Sequence, residues 1–221
     1  VEYRLPRINQ VQLHERIGLT FGSVLRSALR QDPDILLVGE IRDADSAEVA
    51  LRAAMTGHLV LSTLHTNDAL TSALRLVDMG VDAYLVATAL KAIVAQRLLR
   101  KICTSCIQDY EPNANERQLL STIGKDRDLE SVQFKAGAGC PHCHNTGYRG
   151  RIGVFELLEV NSAMAAALRD NQLNAFTQAA QQSAYYRPLS HAALDYAVAG
   201  GSTLEEVLKV SAQVEDESEM L

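Results

Sequence analysis

Three short stretches of the 221-residue sequence carry side chains whose type and spacing suit chemistry. The first is Ile35-Leu36-Leu37-Val38-Gly39-Glu40, a continuous apolar run that delivers a carboxylate. An acid at the carboxyl end of a buried strand can hold Mg²⁺ through water or polarise an attacking water. It can equally be the first exposed residue after the strand, so the run alone does not decide. The second is Gly57-His58-Leu59-Val60-Leu61-Ser62-Thr63-Leu64-His65-Thr66, an apolar strand ending on Thr63, His65 and Thr66. A histidine there can donate to a phosphate oxygen or respond to its loss. His58 lies at the amino end of the same strand, where a capping or packing role competes on equal terms with a functional one. The third is Cys103-x-x-Cys106 followed, after 33 residues, by Cys140-x-x-Cys143. Two such knuckles supply four thiolates to a tetrahedral Zn²⁺, with disulfides or four buried thiols as the competing readings. The gap exceeds the ~15–20 residues of a compact ribbon, so the chain must make an excursion between the knuckles. His142 and His144 are possible substitute ligands but read better as bystanders. Arg100, Lys101, Arg149 and Arg151 lie near enough in sequence to offset the negative charge of four thiolates.

The elements that must position these residues follow from periodicity. Residues 1–16 mix apolar and polar side chains around Pro6 and fit strand or loop. Thr20 is a candidate N-cap for a helix with Phe21, Val24, Leu25, Ala28 and Leu29 on one face, and Pro33 ends it. Asp45 and Glu48 resemble a capping box opening a helix that stops at Gly57. Strand, alanine-rich helix and strand within about 30 residues make a βαβ unit, which implies parallel strands and a right-handed crossover. That crossover would bring Glu40 and His65 to one rim, where open α/β sheets bind their ligands. Leu70 to Gly80 reads as a helix. Residues 82 to about 100 read as a long one, apolar at 85, 86, 89, 90, 93, 94 and 98. The texture then becomes loop-rich over 101–150, which holds all four cysteines; 151–160 is strand-like again. Short helices follow at about 162–170, 173–182, 188–199 and 203–212. The expected organisation is an α/β part over 1–100, an insertion over 101–150, a last strand and helices over 151–212, and a tail over 213–221.

Composition narrows the classes. Hydrophobic residues are 47% and charged residues 22%, which fits a globular chain with a real core and excludes disorder and a disulfide scaffold. The net charge is −6, of which Glu215, Asp216, Glu217 and Glu219 in the last nine residues supply −4. That tail reads as a frayed, solvated end. A nearly neutral body with 5% aromatics argues against a nucleic-acid partner. No apolar run reaches the ~18–20 residues of a transmembrane span, and the opening Val1-Glu2-Tyr3-Arg4, of mixed charge and without an apolar h-region, does not read as a signal peptide. No phosphate-cradling G-x-x-x-x-G-K-[ST] occurs: Gly124-Lys125 is followed by Asp126 and has Leu119 in place of the first glycine.

Taken together, these segments resemble the bacterial secretion and type IV pilus assembly ATPases of the GspE/PilB/MshE kind. The resemblance is carried by RINQVQ, by GLTFGSVLRSALRQDPDILLVGEIRDADSAEVALRAAMTGHLVLSTLHTNDA, by AQRLLRKIC and by CPHCHNTGYRGRIGVFELLEV, and spans about residues 1–212. It implies an α/β, RecA-like, mostly parallel sheet that is incomplete here, with an inserted zinc-binding subdomain and a C-terminal helical region. It also implies ATP, Mg²⁺ and Zn²⁺ as cofactors and a homo-hexamer. Such a motor would act from the cytoplasm, peripheral to the inner membrane, on a platform protein of the pilus or secretion machine. By position, Glu40 is similar to the family's Walker B glutamate. His58 and His65 fall in its histidine box, Glu2 at the trailing edge of its aspartate box, and Arg97 and Arg100 among basic residues near the nucleotide. Cys103, Cys106, Cys140 and Cys143 match its tetracysteine motif, which pilus-retraction relatives lack, so an assembly or export motor is implied. The family's P-loop would lie before Val1, and a chain without it is expected to be inactive alone. A zinc-organised binding module, supported by the CPHCHNTGYRGR stretch, is the competing function.

Overall fold

The computed structural model describes residues 1, 3–125, 127–129 and 131–218, with the side chains of Glu15 and of 213–218 left aside. The chain forms two compact units. One comprises Val1–His65, Ala73–Lys91 and Asn161–Phe176, the other Thr66–Ser72, Ala92–Val160 and Thr177–Leu221.

In the first unit, helix α1 (Phe21–Ala28) starts where the Thr20 hydroxyl accepts from Ser23 N. Strand β1 (Ile35–Val38) leads through Gly39–Asp43 into helix α2 (Ala44–Met55). The N-cap of α2 is Asp43, whose carboxylate accepts from Ser46 N at 2.7 Å, and not Asp45. Glu48 pairs instead with Arg52 one turn on, so the expected capping box does not form. Gly57, at φ +102°, turns the chain into strand β2 (Leu59–Ser62). β1 and β2 are parallel and in register, Ile35 opposite Leu59 and Val38 opposite Ser62, as the βαβ reading requires. Helix α3 (Ala69–Asp78) enters this unit at Ala73, and helix α4 (Ala83–Ala89) follows. Ala47, Ala50, Ala53, Ala73 and Val86 are almost fully buried. The alanines of α2 let it pack closely against α4, which offsets the modest apolar area each one buries.

The second unit holds the largest departure from expectation. Strand β3 (Ala92–Ile102) replaces the second half of the long helix expected from residue 82. It pairs antiparallel with β6 (Tyr148–Glu159), Ala92 opposite Glu159 and Arg100 opposite Arg151. The apolar spacing suits a helix equally well. A partner strand some 56 residues away in sequence supplies a backbone ladder that local periodicity does not reveal. Between them, β4 (Ile107–Asp109) pairs antiparallel with β5 (Lys135–Gly137), and helix α5 (Ala114–Ile123) fills the excursion, its N-terminus closed by an Asn113/Glu116 capping box. Among the described residues the strands form three separate two-stranded sheets; the parallel sheet expected is represented by β1–β2, and β3–β6 and β4–β5 are antiparallel. Helices α6 (Ser162–Arg169), α7 (Leu173–Gln181), α8 (Leu189–Val198) and α9 (Leu204–Ser218) complete the chain. α9 runs six residues past its expected end. Leu99, Val154, Leu158, Leu189, Leu194 and Val207 form the core of the second unit.

Candidate functional site

The β1–β2 register carries Glu40 and His65 to the same end of the parallel pair. Ile41 N donates to Thr63 O at 3.0 Å and the Thr63 hydroxyl donates to Gly39 O at 2.7 Å, which ties the two strand ends together. His65 Nε2 lies 2.9 Å from Glu40 Oε2, and the Arg42 guanidinium pairs with Glu40 Oε1. Each carboxylate oxygen therefore has its own partner. The hydrogen bond from Arg42, and after it that from His65, holds the Glu40 carboxyl below the usual carboxylate range. Glu40 stays partly covered at 31% side-chain exposure while His65 is open at 85%. Arg75 and Met79, with Leu64, complete a concavity of about 330 Å³ over this pair. Such a site offers an ionised acceptor for a water proton beside cationic donors for an anion. His58 is not part of it. Its Nδ1 faces Ala53 O at 3.0 Å at the C-terminus of α2, the amino end of β2. Glu2 lies outside the described residues.

In the second unit the four cysteines converge. Their sulfurs all lie within 4.8 Å of one another, with Cys103–Cys140 and Cys106–Cys143 at 3.9 Å and Cys140–Cys143 at 3.7 Å. Four Zn–S bonds of ~2.3 Å in a tetrahedron put sulfurs about 3.8 Å apart, so the donor set fits Zn²⁺. None of the four is in a disulfide. A 3₁₀ turn over Pro141–Cys143 and left-handed residues His144 (φ 51°) and Asn145 (φ 60°) fold the second knuckle back on itself. A Cβ at Gly137 would overlap the Gly147 carbonyl, so β5 can pass this close only with glycine there. Burial opposes ionisation of Cys143, yet the Cys140 and Gly147 amides that point at its sulfur bring its pKa down to about 6. Burial, reinforced by the neighbouring thiols, pushes Cys106 up to about 12. A first thiolate forms readily and disfavours the others, an imbalance that a bound cation removes.

The two arginines have defined partners in this unit. Arg97 donates to Thr66 O at 3.3 Å and Asn67 Oδ1 at 2.5 Å, holding the segment that follows His65 in sequence. Arg100 donates to Glu206 through Nε (2.9 Å) and Nη2 (2.7 Å), reaches Glu205, and stacks 3.8 Å above the Tyr148 ring. Sequence reasoning gave no role to Arg42, two residues after Glu40, and missed Arg75, whose proximity to Glu40 exists only in the fold. It also missed Glu156. That carboxylate, 1% exposed, accepts from Ala69 N and Leu189 N, both at 2.9 Å, and from the Tyr186 hydroxyl. One acid thus caps the N-termini of both α3 and α8. Burial first, and the nearby Asp68 charge, raise its pKa while these donors pull it down.

An acid–histidine pair at the ends of parallel strands, joined in one chain to a tetrathiol cluster that could hold a metal, defines an α/β protein with two candidate sites. Residues 1–209 match the family of Type II/IV secretion system proteins, and the chain belongs to that family. It is 39% identical over 211 residues to the type II secretion system protein HxcR of Pseudomonas aeruginosa, covering 96% of this chain and 40% of HxcR. To the type IV pilus assembly ATPase PilB of Myxococcus xanthus it is 40% identical over 217 residues, covering 94% of this chain and 37% of PilB. The chain thus spans about 40% of the length of such relatives. Among solved structures, the pilus retraction motor PilT with bound ADP aligns at TM-score 0.58 and 29% identity, covering 86% of this chain and 43% of PilT. The Legionella pneumophila ATPase DotB shares the fold at TM-score 0.59 and 19% identity, covering 87% of this chain and 42% of DotB.

Proposed function

We propose that this chain is the C-terminal part of a hexameric motor that hydrolyses ATP to power type II secretion or pilus assembly. The observation that carries the reading is the pairing of Glu40 with His65 on the rim of two in-register parallel strands. Glu40, kept ionised by Arg42 and His65, accepts a hydrogen bond from the attacking water and orients it. His65 holds the carboxylate and, by exchanging that partner for a phosphate oxygen, responds to the nucleotide. Mg²⁺ held at the Glu40 strand end would neutralise charge on the phosphates. Arg97 fixes the segment after His65. Arg100, already committed to Glu205, Glu206 and Tyr148, contributes to the second unit's packing more than to the nucleotide. A nucleotide role for Glu2, and for His58 at the opposite end of β2, has the family resemblance as its sole support. Zn²⁺ held by Cys103, Cys106, Cys140 and Cys143 would knit the excursion between β3 and β6 into one body.

The residues that cradle the phosphates come from outside 1–221, so this chain alone does not turn over ATP. The motor works peripherally at the cytoplasmic face of the inner membrane against a platform protein; no helix among the described residues is long and apolar enough to cross a membrane. The test is Glu40→Gln in the intact protein that contains this chain. Turnover falls to background while ATP binding survives. Wild-type turnover in that variant removes Glu40 from the mechanism.

A further inference from the structure

The concavity over Glu40 contains a cation that the strand-end chemistry does not use. Arg75 lies on α3, between Leu74 and Leu76, which are both buried, and one turn before Met79. Residues 75 and 79 share a helix face, and both line the concavity with Glu40, Arg42 and His65. Arg42 already neutralises Glu40. Among the described residues Arg75 has no hydrogen bond and no ion pair. The rest of the lining is apolar, from Ile41, Leu64 and Met79. Two guanidinium groups against one carboxylate therefore leave the lining net positive, with the Arg75 charge in excess.

We infer that Arg75 binds the terminal phosphate of the nucleoside triphosphate and stabilises the charge that develops on it. The inference rests on the nucleotide site proposed above and adds a binding residue to it. A planar guanidinium suits this task because it presents paired N–H donors to two phosphate oxygens. In the step concerned, the water oxygen bonds to the terminal phosphorus and a water proton passes to the Glu40 carboxylate. The bond from phosphorus to the bridging oxygen breaks, and its electron pair leaves with the diphosphate. Negative charge spreads over the equatorial oxygens as this happens, and a cation in the wall of the site lowers the barrier. Arg42 cannot substitute, since its contact with Glu40 keeps that carboxylate ionised.

The test uses the intact protein with ATP as the probe. Arg75→Ala lowers kcat roughly 10- to 100-fold and changes KM for ATP less than about threefold, because the contact strengthens in the transition state. Arg75→Lys recovers part of the loss, and millimolar guanidinium ion restores part of the Arg75→Ala rate, which a merely structural defect would not permit. Arg52→Ala, which removes the exposed partner of Glu48 on α2, leaves turnover unchanged. Arg75→Ala turnover within twofold of wild type overturns the inference, as does a loss that neither lysine nor guanidinium ion relieves. Those results, with Glu40→Gln inactive, leave the nucleotide site standing and remove Arg75 alone. Full activity in Glu40→Gln removes the site itself.

Discussion

Glu156 offers the most quantitative check on the fold. Its carboxylate is the acceptor for two buried backbone amides, Ala69 N and Leu189 N, and for the Tyr186 hydroxyl. Glu156→Ala leaves both amides without a partner at positions that are 0% and 1% exposed, where water cannot replace the acid. Each stranded donor costs ~1–3 kcal/mol. Relief from burying a carboxyl whose pKa is already raised offsets part of this, so the net loss is about 3 kcal/mol. For a chain of 221 residues, that lowers Tm by roughly 6–12 °C. Glu156→Gln keeps one acceptor oxygen but turns an amide N–H₂ toward the other donor, and loses about half as much. The pH dependence has a definite sign. Because burial lifts the folded-state pKa above the ordinary 4.5, the folded chain keeps a proton that the unfolded chain has released. Wild-type stability therefore falls as pH rises from 4.5 through the raised value, and the deficit of Glu156→Gln narrows over that interval. Thermal and urea unfolding of zinc-supplemented protein measures both effects. A Glu156→Ala variant within about 0.5 kcal/mol of wild type would show that the carboxylate does not cap the two helices.

Two further outcomes follow from the same geometry. Protein purified without chelator carries about one Zn²⁺ per chain bound to sulfur, and Cys143→Ser weakens zinc affinity at least roughly 100-fold, read by metal analysis and competition with a chromogenic chelator; metal-free protein would sink the assignment. In the intact motor, Arg42→Ala removes the largest cause that holds the Glu40 pKa below 4.5, so the acid limb of the pH–rate profile moves up toward that value. An acid limb that stays in place would mean that Arg42 does not tune the acid.

Both strand-end residues were legible in advance because each follows a short apolar run, and the intervening helix left one handed way to connect parallel strands. The Cys-x-x-Cys knuckles were legible because thiolate spacing is itself a local property of the chain. Their closure, however, rests on Gly137 passing against Gly147 and on the left-handed pair His144 and Asn145, a close approach that thiolate spacing does not reveal. Helix boundaries failed where side chains could choose between local partners. Asp43 and not Asp45 caps α2, and Glu48 pairs with Arg52.

The sequence by itself determined which residue types stand at the ends of β1 and β2 and in the two knuckles, and therefore the chemistry available. Only the tertiary structure decided that residues 92–102 are a strand, since an 11-residue apolar pattern without breakers satisfies either period until β6 supplies its hydrogen bonds. It alone placed Arg42 and Arg75 around one carboxylate and buried Glu156 between two helix N-termini. Charges and hydrogen-bond donors act through distance, and distances between residues far apart in sequence exist only after the chain has folded.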